Sequence, residues 1–299
     1  MKHVIWSQWP DLQVPEGFTR LSPETTDLTT ADLSEITIYV PQYMGGKAVL
    51  ELARGMSSLK YLQLPSAGYD DAIAYCAPGV VLCSARGVHN ASTAELAVAL
   101  AIAARRGFAE FAAAAQTGTW AHKRYPSFVD SSIAILGAGS IATTLKNYLT
   151  PFNVEVTLYS RSGSEGSELI STFDDSIKEY DIVIILMPLN DESKNFFNAK
   201  RLAALKDGAV LINVGRGEII DTDGLVTELE SRRIFAGLDV TAPEPLPKDH
   251  PLWRAPNCII TPHIGGDSTA FLARGKKLVE SQLELIARGL EPENIVWRG

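Results

Sequence analysis

Three polar side chains stand just past short apolar runs, each flanked by glycine or proline. Arg216 lies in Ile212-Asn213-Val214-Gly215-Arg216-Gly217, and His263 in Thr261-Pro262-His263-Ile264-Gly265-Gly266. Glu244 follows Asp239 in Gly237-Leu238-Asp239-Val240-Thr241-Ala242-Pro243-Glu244-Pro245, a loop stiffened by proline. An arginine, a glutamate and a histidine in such places suit reduction of a 2-oxo acid. The guanidinium grips the carboxylate and polarises the carbonyl, the imidazole delivers a proton as hydride arrives, and the glutamate orients and charges the imidazole. Taken singly, Arg216 also reads as a surface cation, Glu244 as a loop carboxylate and His263 as a satisfied core histidine. The other histidines, His3, His89, His122 and His250, lack this context and make no metal-binding spacing.

Such chemistry needs a hydride carrier, and Ile135-Leu136-Gly137-Ala138-Gly139-Ser140-Ile141-Ala142 offers its seat. A strand runs into G-x-G-x-x-A and then a helix through about Leu149. Gly137 allows the tight turn and Gly139 lets a pyrophosphate approach the backbone. The small Ala142 lets helix and strand pack, and the helix start at Ser140 and Ile141 faces the phosphates. The next strand decides which dinucleotide. An NAD site usually ends it with an acid on the ribose 2′-hydroxyl. Here it ends Leu158-Tyr159-Ser160-Arg161-Ser162, so Ser160, Arg161 and Ser162 suit a 2′-phosphate and favour NADP over NAD. Arg161 also reads as a solvated loop charge. Glu155 stands at the strand start and reads as structural.

The positioning elements are strands and helices in alternation. Val4–Trp6, Ile36–Val40, Tyr61–Leu64, Val80–Leu82, Ile133–Leu136, Val154–Leu158, Ile182–Leu186, Val210–Ile212, Ile234–Leu238 and Ile259–Ile260 read as buried parallel strands. Two helices look longer. One starts near Ser92, with Ser92-Thr93-Ala94-Glu95 as cap and acidic first turn, and runs to about Arg106. The other runs from about Ser268 to Arg288 with Leu272, Val279, Leu283 and Ile286 on one face. Gly163–Ser167 reads as a short flexible loop. The alternation predicts an α/β protein.

Composition bounds the rest. The 299 residues allow about two domains. With 27 basic and 35 acidic residues the net charge is −8, which argues against nucleic-acid or anionic-membrane partners. Cys76, Cys83 and Cys258 make no disulfide framework or metal spacing. The start carries no long apolar core of a signal peptide, and Leu96–Ala104 is the longest apolar run, too short for a bilayer. The expectation is a cytoplasmic protein.

These motifs together resemble the D-isomer-specific 2-hydroxyacid dehydrogenases, over nearly the whole chain from about Leu59 to Ile295 and less clearly before it. Ser66-Ala67-Gly68-Tyr69-Asp70 is similar to the family's substrate-carboxylate loop, and Thr93-Ala94-Glu95 to its linker-helix start. Asn213 to Gly217, Asp239 to Pro245 and Thr261 to His263 resemble its N-x-x-R-G, D-V-x-x-x-E-P and T-P-H motifs. The resemblance implies that Arg216, Glu244 and His263 are catalytic and that Asp239 holds the nicotinamide amide. It also implies that Thr93 lies in the cofactor site, that the N–H groups of Ala67 and Gly68 take the substrate carboxylate, and that Tyr43, Met44 and Tyr69 line the side-chain pocket. Ser160-Arg161-Ser162 resembles the glyoxylate/hydroxypyruvate reductase branch, which prefers NADP. Gly215 stands where the family mostly has Ala or Ser, which implies a looser loop.

The implied fold is α/β with two doubly wound parallel-sheet domains. A Rossmann cofactor domain, 94–265, is inserted into a discontinuous flavodoxin-like substrate domain, 1–93 and 266–299. Members are usually homodimers, and the alanine-rich stretch Ala91–Ala115 offers a contact, although tight packing within the chain explains it equally well. Two other readings fit the motifs: an NAD-dependent D-lactate or phosphoglycerate-type dehydrogenase, and a dinucleotide-sensing binding protein like the corepressors of this fold.

Overall fold

A computed structural model of the chain describes residues 2–163 and 166–299. The chain divides into two compact units, one of Met1–His89 with Gly266–Gly299 and one of Asn90–Gly265. The loop expected at Gly163–Ser167 includes positions 164 and 165, which lie outside the described residues.

The larger unit is built on a seven-stranded parallel sheet. Its order is Cys258–Ile260, Phe235–Leu238, Val210–Asn213, Ile182–Ile185, Ser132–Leu136, Glu155–Ser160, Glu168–Leu169. Alternation along each strand serves two cores. Ala134, Leu136, Val183, Ile185 and Leu211 face a layer containing Phe173, Phe197, Leu225 and Leu229. Ile133, Ile135, Ile182, Ile184, Val210 and Ile212 face the opposite layer, with Leu100, Leu145 and Leu149. Both faces are covered, so the strands read as continuous apolar runs.

From Ser132–Leu136 the chain winds outward through Glu155–Ser160. It then crosses back to place Ile182–Ile185 on the other side of the first strand. In a doubly wound sheet that reversal opens a crevice at the strand C-termini. Gly137 and Leu186 flank it.

The helix Asn90–Arg105 lies on this sheet through Ala94, Ala97, Leu100, Ala101 and Ala104. It comes so close that a Cβ on Gly237 would lie 3.0 Å from Leu100 Cβ. This half of the alanine-rich stretch is therefore spent on packing within the chain. The helix begins two residues before Ser92, which stands in its first turn, and no acidic residue occupies that turn. The helix therefore starts ahead of the cap expected at Ser92.

The smaller unit has a six-stranded sheet in the order Ile295–Arg298, Val81–Cys83, Tyr61–Gln63, Ile38–Val40, His3–Ser7, Phe18–Leu21. All pairs are parallel except the edge strand Ile295–Arg298, which runs antiparallel to Val81–Cys83. The helix Thr269–Ala287 covers one face through Phe271, Val279, Leu283 and Ile286. Leu272, expected on that face, is 60% exposed, and Phe271 takes its place. Four-residue steps from Phe271 through Gly275 to Val279 and Leu283 keep one stripe inward. A Cβ on Gly275 would lie 2.6 Å from the Phe271 ring, so the stripe has no room for a larger residue there.

Candidate active site

The strand Ser132–Leu136 ends in Gly137, whose φ of 114° favours glycine. A Cβ there would also lie 2.9 Å from the Leu186 carbonyl, across the crevice. Gly139 is different: a Cβ on it would meet nothing within 4 Å. That open space stands over the start of the helix Ser140–Leu149, where the first N–H groups have no intrahelical partner. Ala142 is 1% exposed, so the third small residue serves helix–sheet packing. Ser140 Oγ donates to Asn90 Oδ1 at 3.0 Å, and Ile141 is half-buried. This cradle fits the diphosphate of a dinucleotide. At the end of the neighbouring strand Ser160 Oγ lies 2.8 Å from Ser167 Oγ, while Arg161 and Ser162 are exposed.

The Arg216 loop is held by its own asparagine. Asn213, fully buried at the end of Val210–Asn213, donates from Nδ2 to the Arg216 carbonyl at 2.9 Å. Its Oδ1 accepts the Gly215 N–H at 3.0 Å. A Cβ on Gly215 would lie 3.1 Å from the Met187 carbonyl oxygen. Glycine at 215 therefore does not loosen the loop, contrary to expectation, because the asparagine clamps both sides of it. Gly217 carries a stricter demand: a Cβ there would fall 2.0 Å from the Thr241 carbonyl oxygen. The chain leading to Glu244 thus passes directly against the Arg216 loop. Arg216 is half-buried, with Nη1 donating to the Gly215 carbonyl at 2.9 Å.

Asp239, 3% exposed, accepts from the Thr261 hydroxyl at 2.6 Å, from Ile264 N–H at 2.9 Å and from Gly265 N–H at 2.8 Å. The turn carrying His263 is wrapped round this carboxylate. Thr93, 6% exposed, lies beside it, since a Cβ on Gly265 would be 2.9 Å from Asp239 Oδ2 and 3.5 Å from Thr93 Cγ2. Sequence reasoning assigned Asp239 only to the cofactor and missed Asn213 and Thr261 as supports. The asparagine two residues before a glycine in the motif was the available signal for the first.

His263 has φ 55°, and that left-handed turn aims its ring at the Glu244 loop. His263 Nδ1 lies 2.6 Å from Glu244 Oε1, with side chains 36% and 41% exposed. The hydrogen bond to Glu244 raises the His263 pKa above the usual histidine value, and the charges of Glu244 and Asp239 add to it. Burial and the Arg216 charge oppose the rise without reversing it. Glu244 is held below the usual glutamate value, first by the same hydrogen bond, with Arg216 contributing. Arg216 is thus electrostatically coupled to both members of the pair. The three residues, 28 and 19 positions apart in the sequence, come together.

The expected carboxylate loop belongs to the smaller unit. Ser66 Oγ donates to the Gly68 carbonyl at 2.8 Å, and the Ser66 carbonyl accepts from Ala85 N–H at 2.7 Å. The N–H groups of Ala67 and Gly68 donate to no other described residue. In the same unit Tyr69 is 36% and Met44 52% exposed, whereas Tyr43 is packed against His89 and Phe271.

Residues 98–265 match the family model of the D-isomer-specific 2-hydroxyacid dehydrogenase NAD-binding domain. The chain belongs to that family. A glyoxylate/hydroxypyruvate reductase B of Escherichia fergusonii is 30% identical over 287 residues, 88% of this dehydrogenase chain and 87% of its own. An uncharacterized protein from the proB 3′ region of Corynebacterium melassecola is 34% identical over 265 residues, 86% of this chain and 81% of its own. Among solved structures, an NADPH-dependent glyoxylate/hydroxypyruvate reductase of Sinorhizobium meliloti in complex with citrate superposes with a TM-score of 0.80. It is 25% identical and covers 99% of this chain and 98% of its own. The chain is therefore an NAD(P)-dependent oxidoreductase acting on the CH–OH group of 2-hydroxy acids. Among the described residues, no helix is long and apolar enough to cross a membrane.

Proposed function

We propose that this dehydrogenase works as a reductase of small 2-oxo acids of the glyoxylate or hydroxypyruvate class, with NADPH preferred. The observation that carries the reading is the 2.6 Å His263–Glu244 pair, coupled in charge to Arg216. When bound, the reduced nicotinamide supplies a hydride. Arg216 binds the substrate carboxylate and polarises the carbonyl through its planar fork. His263 donates a proton from Nε2 to the carbonyl oxygen while Nδ1 stays on Glu244, which stabilises the charged ring beforehand. Asp239 orients the nicotinamide amide with the capacity its three donors leave, and its larger part is to fix the His263 turn. Gly137, Gly139, Ser140 and Ile141 seat the diphosphate, and Thr93 lines the cofactor site. The N–H groups of Ala67 and Gly68 take the substrate carboxylate. The unit Asn90–Gly265 is the cofactor domain in this reading, and the other is the substrate domain.

NADPH preference rests on Ser160, Arg161 and Ser162, with no acid at the strand end, and on the similarity to the NADPH-dependent reductase of Sinorhizobium meliloti. The working form is a homodimer. The helix Phe108–Gln116 has no buried residue, and Phe108, Phe111 and Trp120 are 53%, 37% and 94% exposed, a face suited to a second copy. The thiols Cys76, Cys83 and Cys258 are free, which fits the cytoplasm.

The test is oxidation of NADPH and NADH with glyoxylate, hydroxypyruvate, pyruvate and larger 2-oxo acids. Turnover strongest with NADPH and the two- or three-carbon acids is expected. Tight NADPH binding with no turnover of any acid would instead make the protein a dinucleotide sensor.

A further inference from the structure

His89 has no motif around it in the sequence, and the fold supplies its context. It is the last residue before the chain leaves the smaller unit, and Gly266 is the first after it returns. His89 is 5% exposed. Its Nε2 lies 2.8 Å from the Pro65 carbonyl oxygen and its Nδ1 3.1 Å from the Gly266 carbonyl oxygen. The ring stacks on Tyr43 and Phe271 at 5.2 and 5.3 Å, each inclined by 18°. Gly266 is pressed into the same cluster: a Cβ there would lie 2.4 Å from Tyr43 Oη and 2.9 Å from His89 Nδ1.

We propose that His89 is a positioning residue, a clasp that ties the exit and return points of the chain to Pro65 and so sets the Ser66–Gly68 loop. Pro65 directly precedes Ser66, whose carbonyl is already fixed by Ala85 N–H at 2.7 Å. A clasp on the Pro65 carbonyl therefore leaves the N–H groups of Ala67 and Gly68 little freedom of direction. Both partners of the ring are acceptors only. A neutral imidazole can donate to one of them, and the charged ring to both. Burial is the largest influence on His89 and pulls its pKa below the usual value, while the two carbonyls and the nearby Asp267 charge pull the other way. The ring is thus neutral at pH 7, and the shorter contact, Nε2 to Pro65, takes the proton; Gly266 is then held by its close packing against the ring and Tyr43 rather than by a hydrogen bond. The stacked rings hold the imidazole plane so that this donor stays aimed.

The effect on substrate rests on the proposed role of Ala67 and Gly68; the clasp itself does not. The test uses the full chain with His89→Phe, which keeps an aromatic ring but neither nitrogen, and His89→Gln, which keeps a donor. Gly266→Ala attacks the clasp from the other side and covers failure of His89→Phe to fold. Hydrogen exchange is followed in peptides spanning 64–69 and 265–268, alongside steady-state kinetics with NADPH and glyoxylate and NADPH binding by fluorescence. Exchange in both peptides should rise several-fold in His89→Phe and Gly266→Ala, with cofactor-unit peptides unchanged. KM for glyoxylate should rise about 3- to 10-fold with NADPH affinity and kcat near wild type, and His89→Gln should recover part of it. Unchanged exchange in both peptides overturns the clasp. Raised exchange with an unchanged KM overturns the positioning role. Raised exchange in a protein whose wild type turns over no 2-oxo acid supports the clasp and counts against the proposed function instead.

Discussion

The His263 N–H donates to the Asp239 carbonyl at 2.8 Å, while the Asp239 carboxylate gathers Thr261, Ile264 and Gly265 from either side of His263. One buried aspartate therefore fixes the turn on which the imidazole rides. Asp239→Asn keeps the shape but sets an amide nitrogen against one or more of these donors. It should lower unfolding stability by about 1.5–3 kcal/mol, the range for a hydrogen bond to a charged group. Urea denaturation without cofactor measures this. Stability equal to wild type would mean that the turn holds without the carboxylate.

Two glycines one residue from Arg216 should respond differently to alanine. At Gly217 the added Cβ would meet Thr241 backbone at 2.0 Å, and the backbone must shift to admit it. At Gly215 the nearest atom, the Met187 carbonyl oxygen, is 3.1 Å away and asks for only a small adjustment. Gly217→Ala should cost at least about 1–3 kcal/mol, as overpacking does, and lose most activity. Gly215→Ala should stay within about 1 kcal/mol of wild type. Thermal melts and kcat/KM of the two variants check the contrast; equal effects would contradict it.

The cofactor assignment predicts a selective loss. Arg161→Ala should weaken NADPH binding by about 1.5–3 kcal/mol, roughly ten- to more than a hundredfold, with NADH little affected. Fluorescence titration with both dinucleotides measures it. Equal losses for the two would take Arg161 away from the 2′-phosphate.

Much of this was legible in the sequence because the strands are covered on both faces. Ile182–Ile185 and Val210–Asn213 are buried throughout and stand out as apolar runs. The strands that escaped notice lie at sheet edges. Phe18–Leu21 has two exposed residues, Glu168–Leu169 is short and exposed, and Ile295–Arg298 pairs on one side only. These three edge strands bury too little to print a pattern, whereas the edge strand Cys258–Ile260, half-buried throughout, was legible. The Arg216, Glu244 and His263 motifs were visible because each follows a strand and is framed by glycine or proline. What no spacing showed was the support beneath them. The donors to Asp239 come from 22 to 26 residues away, and the partners of His89 from 24 and 177. Contacts over such distances arise only when the sheet brings its strand ends together.

If Glu244 keeps His263 charged for proton delivery, the pH profile of reduction must report it. The pair at 2.6 Å raises the His263 pKa, so the protonated form persists above the ordinary value of about 6.5. The rate of reduction should be full at low pH and fall as pH rises through the raised value. Oxidation of the hydroxy acid should show the mirror profile. Glu244→Gln keeps the shape and removes the charge, so the fall-off for reduction should move to lower pH, with activity best retained in acid. The measurement is kcat/KM for reduction against pH in wild type and Glu244→Gln. A shift of the descending limb to lower pH is the predicted result; two profiles falling at the same pH would contradict the relay.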